Sequence, residues 1–197
     1  MNTTDNQQAY TLQQWLQLED IEGRRYEFLD GKVFVKQGGT FNYGTISDNA
    51  YYAIRSSIDE AQMNYRAFGS SSKLEVQTSK FYTYPTVQVV AGDVQLSRMV
   101  RGAILNPVAI VEVLPINCSF FDHIKRVKSF FSVPTLQEYV LLNQSTVEAL
   151  HYRKHQEAGQ FWTTIHTGAD TTLHLESIDV KLKLADLYLN VDLPIHK

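Results

Sequence analysis

One glutamate inside an apolar run constrains this 197-residue chain more than any other feature. Residues 107–114 read PVAIVEVL, and an almost continuous apolar run of this length is typical of a strand covered on both faces of a sheet. The exception is Glu112. An ionised carboxylate in such a strand costs several kcal/mol unless a cation or a hydrogen-bond donor meets it. The run therefore predicts an interior strand and a positive partner facing Glu112.

Three local patterns predict the structure of the first third of the chain. Thr11 and Gln14, three residues apart, match the capping box that begins a helix. Asp30 and Gly31 supply the positive φ values of a two-residue hairpin turn, and alternating apolar residues flank them. Apolar residues then recur every three or four positions over 43–63, which predicts a helix with one buried stripe.

Further strands are predicted on both sides of the interior strand. Segments 65–69, 73–78 and 86–91 are rich in valine, tyrosine and phenylalanine, the residues enriched in strands. After the interior strand, an apolar stripe predicts a helix that ends before Pro134, and residues 138–142 predict a second interior strand. This strand–helix–strand unit implies a parallel pair.

The last part of the chain alternates apolar and polar residues. The alternation over 147–184 predicts an antiparallel meander, followed by a short helix at 185–189. Taken together, the patterns predict the α/β class, with a mixed α+β sheet, flanking helices and an added meander.

Length and composition set the broad class. At one domain per about 150 residues we expect a single domain over 10–193, after a flexible N-terminus at 1–9. The 18 basic and 21 acidic residues give a net charge of −3, which excludes a domain that holds nucleic acid by overall charge. Cys118 is the only cysteine, so no disulfide can form within the chain and we expect a cytoplasmic location. The sequence has no apolar segment long enough to span a membrane, so we expect no membrane insertion.

Two acids and a basic cluster are the candidate functional residues. Glu112 could face Arg126 of the following helix in a buried ion pair, or it could serve a metal or catalytic role. Glu27 poses the same question, although an outward-facing polar residue in an alternating strand also explains it. Lys125 and Lys128 could hold phosphates of a nucleic acid, or they could form an ordinary solvated helix face.

Several segments resemble a large bacterial family of restriction-endonuclease-like proteins in the PD-(D/E)XK superfamily, whose members are mostly uncharacterised. The resemblance covers most of the chain, from about residue 10 to 193. The segments that carry it are YEFLDG (26–31), GGTFNYG (38–44), YPTV (84–87), NPVAIVEVL (106–114), VPTLQEYVLL (133–142) and IDVKLKLADLY (178–188).

The resemblance implies a metal-dependent phosphodiesterase site at adjacent strand ends of a mixed sheet. In such a site an Asp and a Glu hold Mg²⁺, and a Lys supports the attacking water or the developing charge. Here Thr86 replaces the expected Asp, Arg126 replaces the Lys, and Glu112 keeps the Glu. Glu27 remains as the second acid, so Glu112 and Glu27 are the candidate metal ligands.

These replacements weaken the expected chemistry. Thr86 removes a negative charge and a strong ligand, so the affinity for Mg²⁺ should fall. Arg126 stays protonated and cannot act as a general base, although its planar fork could still bind phosphate or Glu112.

Three functions follow from the sequence. The first is a DNA-cleaving, metal-dependent nuclease with a degraded site, and the second is an active nuclease in which Glu27 and Glu112 share the metal. The third is a module without catalysis that binds nucleic acid through the helix around Lys125 or binds a protein through a sheet edge. A homodimer is expected only because two-fold assemblies are the commonest.

Overall fold

The structure is a computed structural model that describes residues 9–36, 39–114, 120–155 and 160–193, the side chains of 120–123 excepted. The segment expected to be flexible, 1–9, therefore lies outside the described residues except for Ala9, and Cys118 lies outside them too. Among the described helices, none has the length and apolar composition needed to cross a bilayer.

The helices and strands follow one another in a mixed α and β order. They are α1 (Leu12–Glu22), β1 (Tyr26–Leu29), β2 (Lys32–Val35), α2 (Phe41–Glu60), β3 (Tyr65–Gly69), β4 (Leu74–Val76), β5 (Phe81–Thr83), β6 (Val87–Ala91), β7 (Pro107–Val113), α3 (Phe120–Phe131), β8 (Glu138–Leu142), β9 (Glu148–Lys154), β10 (Phe161–Thr167), β11 (Thr172–Leu175), β12 (Val180–Lys183) and α4 (Leu184–Leu187).

The predicted local structures at the start of the chain are confirmed. The hydroxyl of Thr11 accepts from the main-chain N–H of Gln14, and the side-chain oxygen of Gln14 accepts from the main-chain N–H of Thr11. Helix α1 therefore begins with a complete capping box. Asp30 and Gly31 take φ values of 44° and 87° between the paired strands β1 and β2. The helix α2 ends at Glu60 rather than 63, because Gln62 adopts a left-handed φ of 51°.

A six-stranded sheet forms the centre of the fold, in the order β10-β9-β8-β7-β6-β3. Strands β7 and β8 are parallel and joined through α3, as predicted, and the other neighbours are antiparallel. One face packs against α2 and the separate β11–β12 hairpin. The other face packs against α3 and against a four-stranded sheet ordered β2-β1-β5-β4. Strand β7 is therefore covered on both sides.

Two parts of the sheet arrangement differ from the prediction. The three-residue strand β5 was not predicted, because it is too short to show alternation, yet it lies fully buried between β1 and β4. The predicted meander also divides: β9 and β10 extend the central sheet, whereas β11 and β12 pair only with each other among the described strands.

The hairpin turn supplies a stability test. A Cβ added at Gly31 would need an unfavourable φ of +87° and would lie 3.2 Å from the Cβ of Ala9. We therefore expect Gly31→Ala to lower the free energy of unfolding by about 1–2 kcal/mol. Gly44 lies in α2 with nothing within 4 Å of the added atom, so Gly44→Ala should raise it by about 0.5–1 kcal/mol. Chemical denaturation measures both, and a neutral Gly31→Ala would contradict the turn assignment.

Candidate functional site

Glu27 and Glu112 come together between the two larger sheets. Glu27 lies on β1 of the four-stranded sheet and Glu112 on β7 of the central sheet, and both are at least 95% buried. The two acids lie far apart along the chain, and the family resemblance is what suggests that they share one site. Their side chains meet because β1 and β5 pack over the face of the central sheet that carries Glu112.

Arg126 of α3 bridges the two carboxylates. Its Nε donates to Oε2 of Glu112 and its Nη2 to Oε1 of Glu112, both at 2.7 Å. Toward Glu27 the bonds run from Nη1 to Oε2 at 2.8 Å and from Nη2 to Oε1 at 2.6 Å. The guanidinium lies over the rings of Phe81 and Phe130, 5.2 and 5.3 Å from the centroids. The cation predicted opposite Glu112 is therefore present and makes two-point contacts with both acids.

Lys36 is the functional residue that sequence reasoning missed. Its Nζ lies 3.2 Å from Oε1 of Glu27 and 3.2 Å from Oε1 of Glu112. A signal for it was available: Glu27 pairs with Phe34, and Lys36 lies two residues beyond Phe34, hence on the same face of the hairpin. We call Glu27, Glu112, Arg126 and Lys36 the carboxylate–cation tetrad.

Every carboxylate oxygen of the tetrad has a donor. Besides the two cations, Glu27 accepts from the hydroxyl of Thr83, and Glu112 accepts from the hydroxyl of Tyr139 at 2.9 Å. Burial alone would raise the pKa of both carboxyls, but the charges of Arg126 and Lys36 outweigh it. The pKa of Glu112 falls to about 2, and that of Glu27 is also lowered.

The two cations remain protonated because the two carboxylates stabilise their charged forms. Burial favours the neutral form of Lys36, yet Glu27 and Glu112 together raise its pKa. The pKa of Arg126 is raised well above its usual value, with burial opposing and the same two carboxylates prevailing. The tetrad thus holds two negative and two positive charges at neutral pH, and neither cation is a general base.

Thr86 lies beside the tetrad without joining its described hydrogen bonds. It is 2% exposed and comes one residue before the Val87–Val111 pair, which places it across from Glu112 in the antiparallel register. Its hydroxyl accepts from the main-chain N–H of Val113 at 3.3 Å. Thr86 therefore contributes a contact to the β7 backbone where an acid would contribute a charge.

The residues present do not fit a bound Mg²⁺. The space between Glu27 and Glu112, where a divalent cation would need to reach both carboxylates, is filled by the Nη2 of Arg126 and the Nζ of Lys36. A Mg²⁺ ion would have to displace both Arg126 and Lys36, and its two positive charges would only replace theirs. It would also lack a third carboxylate ligand. Across the described part of the chain, no group of three or more His, Cys, Asp or Glu side chains could hold a metal.

Two clefts flank the tetrad, one beside Arg126 and the other beside Lys36. The larger, about 720 Å³, contains Glu27 and Arg126 in its wall together with Lys32, Lys125 and Lys128. The smaller, about 460 Å³, is lined by Lys36 and by two arginines of the α1–β1 turn, with Tyr43 and Tyr84. The two lysines predicted to contact nucleic acid, Lys125 and Lys128, are exposed on α3 at the wall of the larger cleft.

The mixed sheet and its parallel crossover agree with the restriction-endonuclease-like family that the sequence resembles. The chain belongs to the Uma2 family, described as "Putative restriction endonuclease", whose model matches residues 12–187.

The relatives and the structural neighbour agree with this family. Two proteins of Synechocystis sp. (strain ATCC 27184 / PCC 6803 / Kazusa) are similar. "Uncharacterized protein sll1609" is 29% identical over 73% of this chain and 80% of its own. "Uncharacterized protein slr1290" is 24% identical over 89% and 90%. A crystal structure of a "putative nuclease belonging to DUF820" from Anabaena variabilis ATCC 29413 has a TM-score of 0.69 at 20% identity. It covers 91% of this chain and 97% of the other, and it supports the fold.

Removing Arg126 should expose the cost of the buried charges. Arg126→Met leaves two carboxylates against Lys36 alone, and we expect it to lower the free energy of unfolding by about 3–5 kcal/mol. Adding Glu112→Gln restores neutrality and should recover part of the loss. Lys128→Met, at an exposed site on the same helix, should stay within about 0.5 kcal/mol. Denaturant titration of these variants, together with Glu112→Gln alone, measures the coupling between Arg126 and Glu112, and strictly additive effects would contradict the tetrad.

The tetrad also predicts how stability depends on pH. The pKa of Glu112 lies near 2 in the folded chain and near 4.5 when unperturbed. Its stabilising contribution is therefore complete above about pH 5 and is lost as the pH falls from 4.5 toward 2. Thermal unfolding across this window should show a shallower pH dependence in Glu112→Gln than in the wild type. The exposed Glu60→Gln variant is the control and should follow the wild-type curve.

Proposed function

We propose that this chain is a nucleic-acid-binding module on the restriction-endonuclease-like fold, with a degraded site that does not carry out metal-dependent hydrolysis. The observation that supports this most directly is the occupation of the space between Glu27 and Glu112 by Arg126 and Lys36. Hydrolysis in the family pattern needs a metal between acids and a basic group near the attacking water. The tetrad offers neither.

The larger cleft supports binding of a phosphate backbone. Glu27 and Arg126 in its wall carry opposite charges, so the exposed Lys128 and the neighbouring Lys32 give the cleft a positive excess. Hydroxyls of Thr78, Ser79, Ser129 and Ser132 line the same space but already bond one another, Thr78 with Ser132 and Ser79 with Ser129, so the lysines carry the attraction for phosphate. Because the whole chain carries −3, the attraction for DNA is local to this cleft.

The family description also suggests an alternative function, an active nuclease, in which Glu27 and Glu112 would share a metal. That function requires Arg126 to leave both carboxylates when the metal arrives. Calorimetric titration with Mn²⁺ separates the two: the proposal expects no saturable binding at millimolar metal. Cleavage of single- or double-stranded DNA with Mg²⁺ or Mn²⁺ that disappears in Glu112→Ala would overturn the proposal.

Charge reversal in the larger cleft tests binding itself. Lys125→Glu with Lys128→Glu should weaken DNA retention and lower the slope of log affinity against log salt by about two, one for each lost phosphate contact. Lys181→Glu with Lys183→Glu changes the net charge equally at exposed positions of β12 and should leave binding unchanged. Fluorescence anisotropy at several salt concentrations measures both. Equal losses in the two pairs would indicate attraction by overall charge only.

The proposal includes the cytoplasmic location suggested by the single cysteine, and a homodimer whose interface is argued next.

A further inference from the structure

The outer strand of the central sheet is an unprotected edge. Among the described strands, β10 pairs only with β9, and its sequence FWTTIHT contains neither a charged residue nor a proline. Trp162 and Ile165 are 60% and 61% exposed. Proteins usually protect such edges with charges, proline or very short strands, because an exposed strand pairs readily with another chain. At seven residues, β10 has none of these protections.

The hydrogen bonds that flank β10 determine which of its main-chain groups point outward. The N–H of His155 donates to the carbonyl of Gln160 at 3.0 Å, and the N–H of Gly168 donates to that of Val147 at 3.0 Å. Hydrogen-bonded pairs alternate along an antiparallel ladder, so the even-numbered residues of β10 bond to β9. The N–H and C=O groups that point away from the sheet belong to Phe161, Thr163, Ile165 and Thr167.

We propose that β10 pairs with β10 of a second copy of this chain, antiparallel and about a twofold axis at Thr164. In this register Phe161 meets Thr167 of the second copy and Thr163 meets Ile165. Each outward residue then exchanges two main-chain hydrogen bonds with its partner. A register shifted by two residues in either direction leaves the outward groups at one end of β10 unpaired. The strand therefore pairs all of its outward groups with a second copy in one register only.

The side chains agree with this register. Trp162 comes opposite His166 of the second copy in a pair without main-chain bonds, where side chains approach most closely. Burial, together with the proximity of His151 and Arg153, lowers the pKa of His166, which disfavours a charge beside the indole. Ile165 comes diagonal to Phe161 and Ile165 of the second copy, which covers its exposed surface. No like charges oppose one another within the paired strands.

The symmetry of the pairing limits the size of the assembly. A twofold contact uses the same surface on both copies and closes after two chains, whereas pairing of β10 with the opposite edge strand β3 would propagate into a filament. We therefore expect a dimer with one continuous sheet of twelve strands, two sets of the six in each chain. This inference does not depend on DNA binding.

Thr163→Pro tests the main-chain pairing. The N–H of Thr163 points outward, so proline removes a donor from the dimer ladder and none from the β9–β10 ladder. Sedimentation equilibrium over a concentration series should give a dimer for the wild type and for Thr163→Val, and a monomer for Thr163→Pro. Circular dichroism checks that Thr163→Pro folds. If it does not fold, Ile165→Lys takes its place as the test variant and should also be a monomer. A monomeric wild type, a dimeric Thr163→Pro or species larger than a dimer would overturn the inference.

An introduced thiol tests the register. Opposite residues in a pair without main-chain bonds have Cα atoms about 4.5 Å apart, within the reach of a disulfide. Thr164→Cys, in a Cys118→Ser background, should therefore form a cross-linked dimer on mild oxidation. Ile165→Cys in the same background places the two Cα atoms about 7–8 Å apart across a diagonal and should not. Cross-linking at 165 and not at 164 would contradict the twofold at Thr164.

Discussion

Arg126 placed between Glu27 and Glu112 is the interaction on which the rest of the structure depends. The guanidinium belongs to α3, one carboxylate to the central sheet and the other to the β1–β2 hairpin, so a single side chain joins three parts of the fold. Lys36 closes the same set from the end of the hairpin. A buried ion pair adds little net stability when intact, because desolvation of the charges offsets their attraction, yet its disruption is costly. The tetrad therefore acts mainly to fix how these parts pack.

The same interaction determines the chemistry that remains. The family resemblance implies two carboxylates that hold a metal, but here each is already neutralised by cations of the chain. Replacement of an expected acid by Thr86 removes the charge that a metal would have needed in addition. Beside the tetrad lies the larger cleft with its lysines, the feature on which the proposed binding of phosphate groups rests.

Sequence reasoning reached the parts of the molecule that local physics controls. The capping box at Thr11, the turn at Asp30 and the buried strand around Glu112 follow from patterns within a few residues, and the structure confirms them. The partner of Glu112 was also within reach, since a buried acid requires a cation. Lys36 was missed although the hairpin register places it on the face of Glu27; only its second contact, to Glu112, depends on how the hairpin folds over another sheet, 76 residues away in the chain. Strand β5 carried too few residues to show a period.

The chain's own cations lie between Glu27 and Glu112, where a metal would need to bind. Crystals soaked in millimolar Mn²⁺, with diffraction measured near the manganese absorption edge, test this directly. We expect no anomalous peak between Glu27 and Glu112 and a guanidinium of Arg126 in contact with both carboxylates. A peak between those carboxylates, with Arg126 displaced toward the larger cleft, would contradict it.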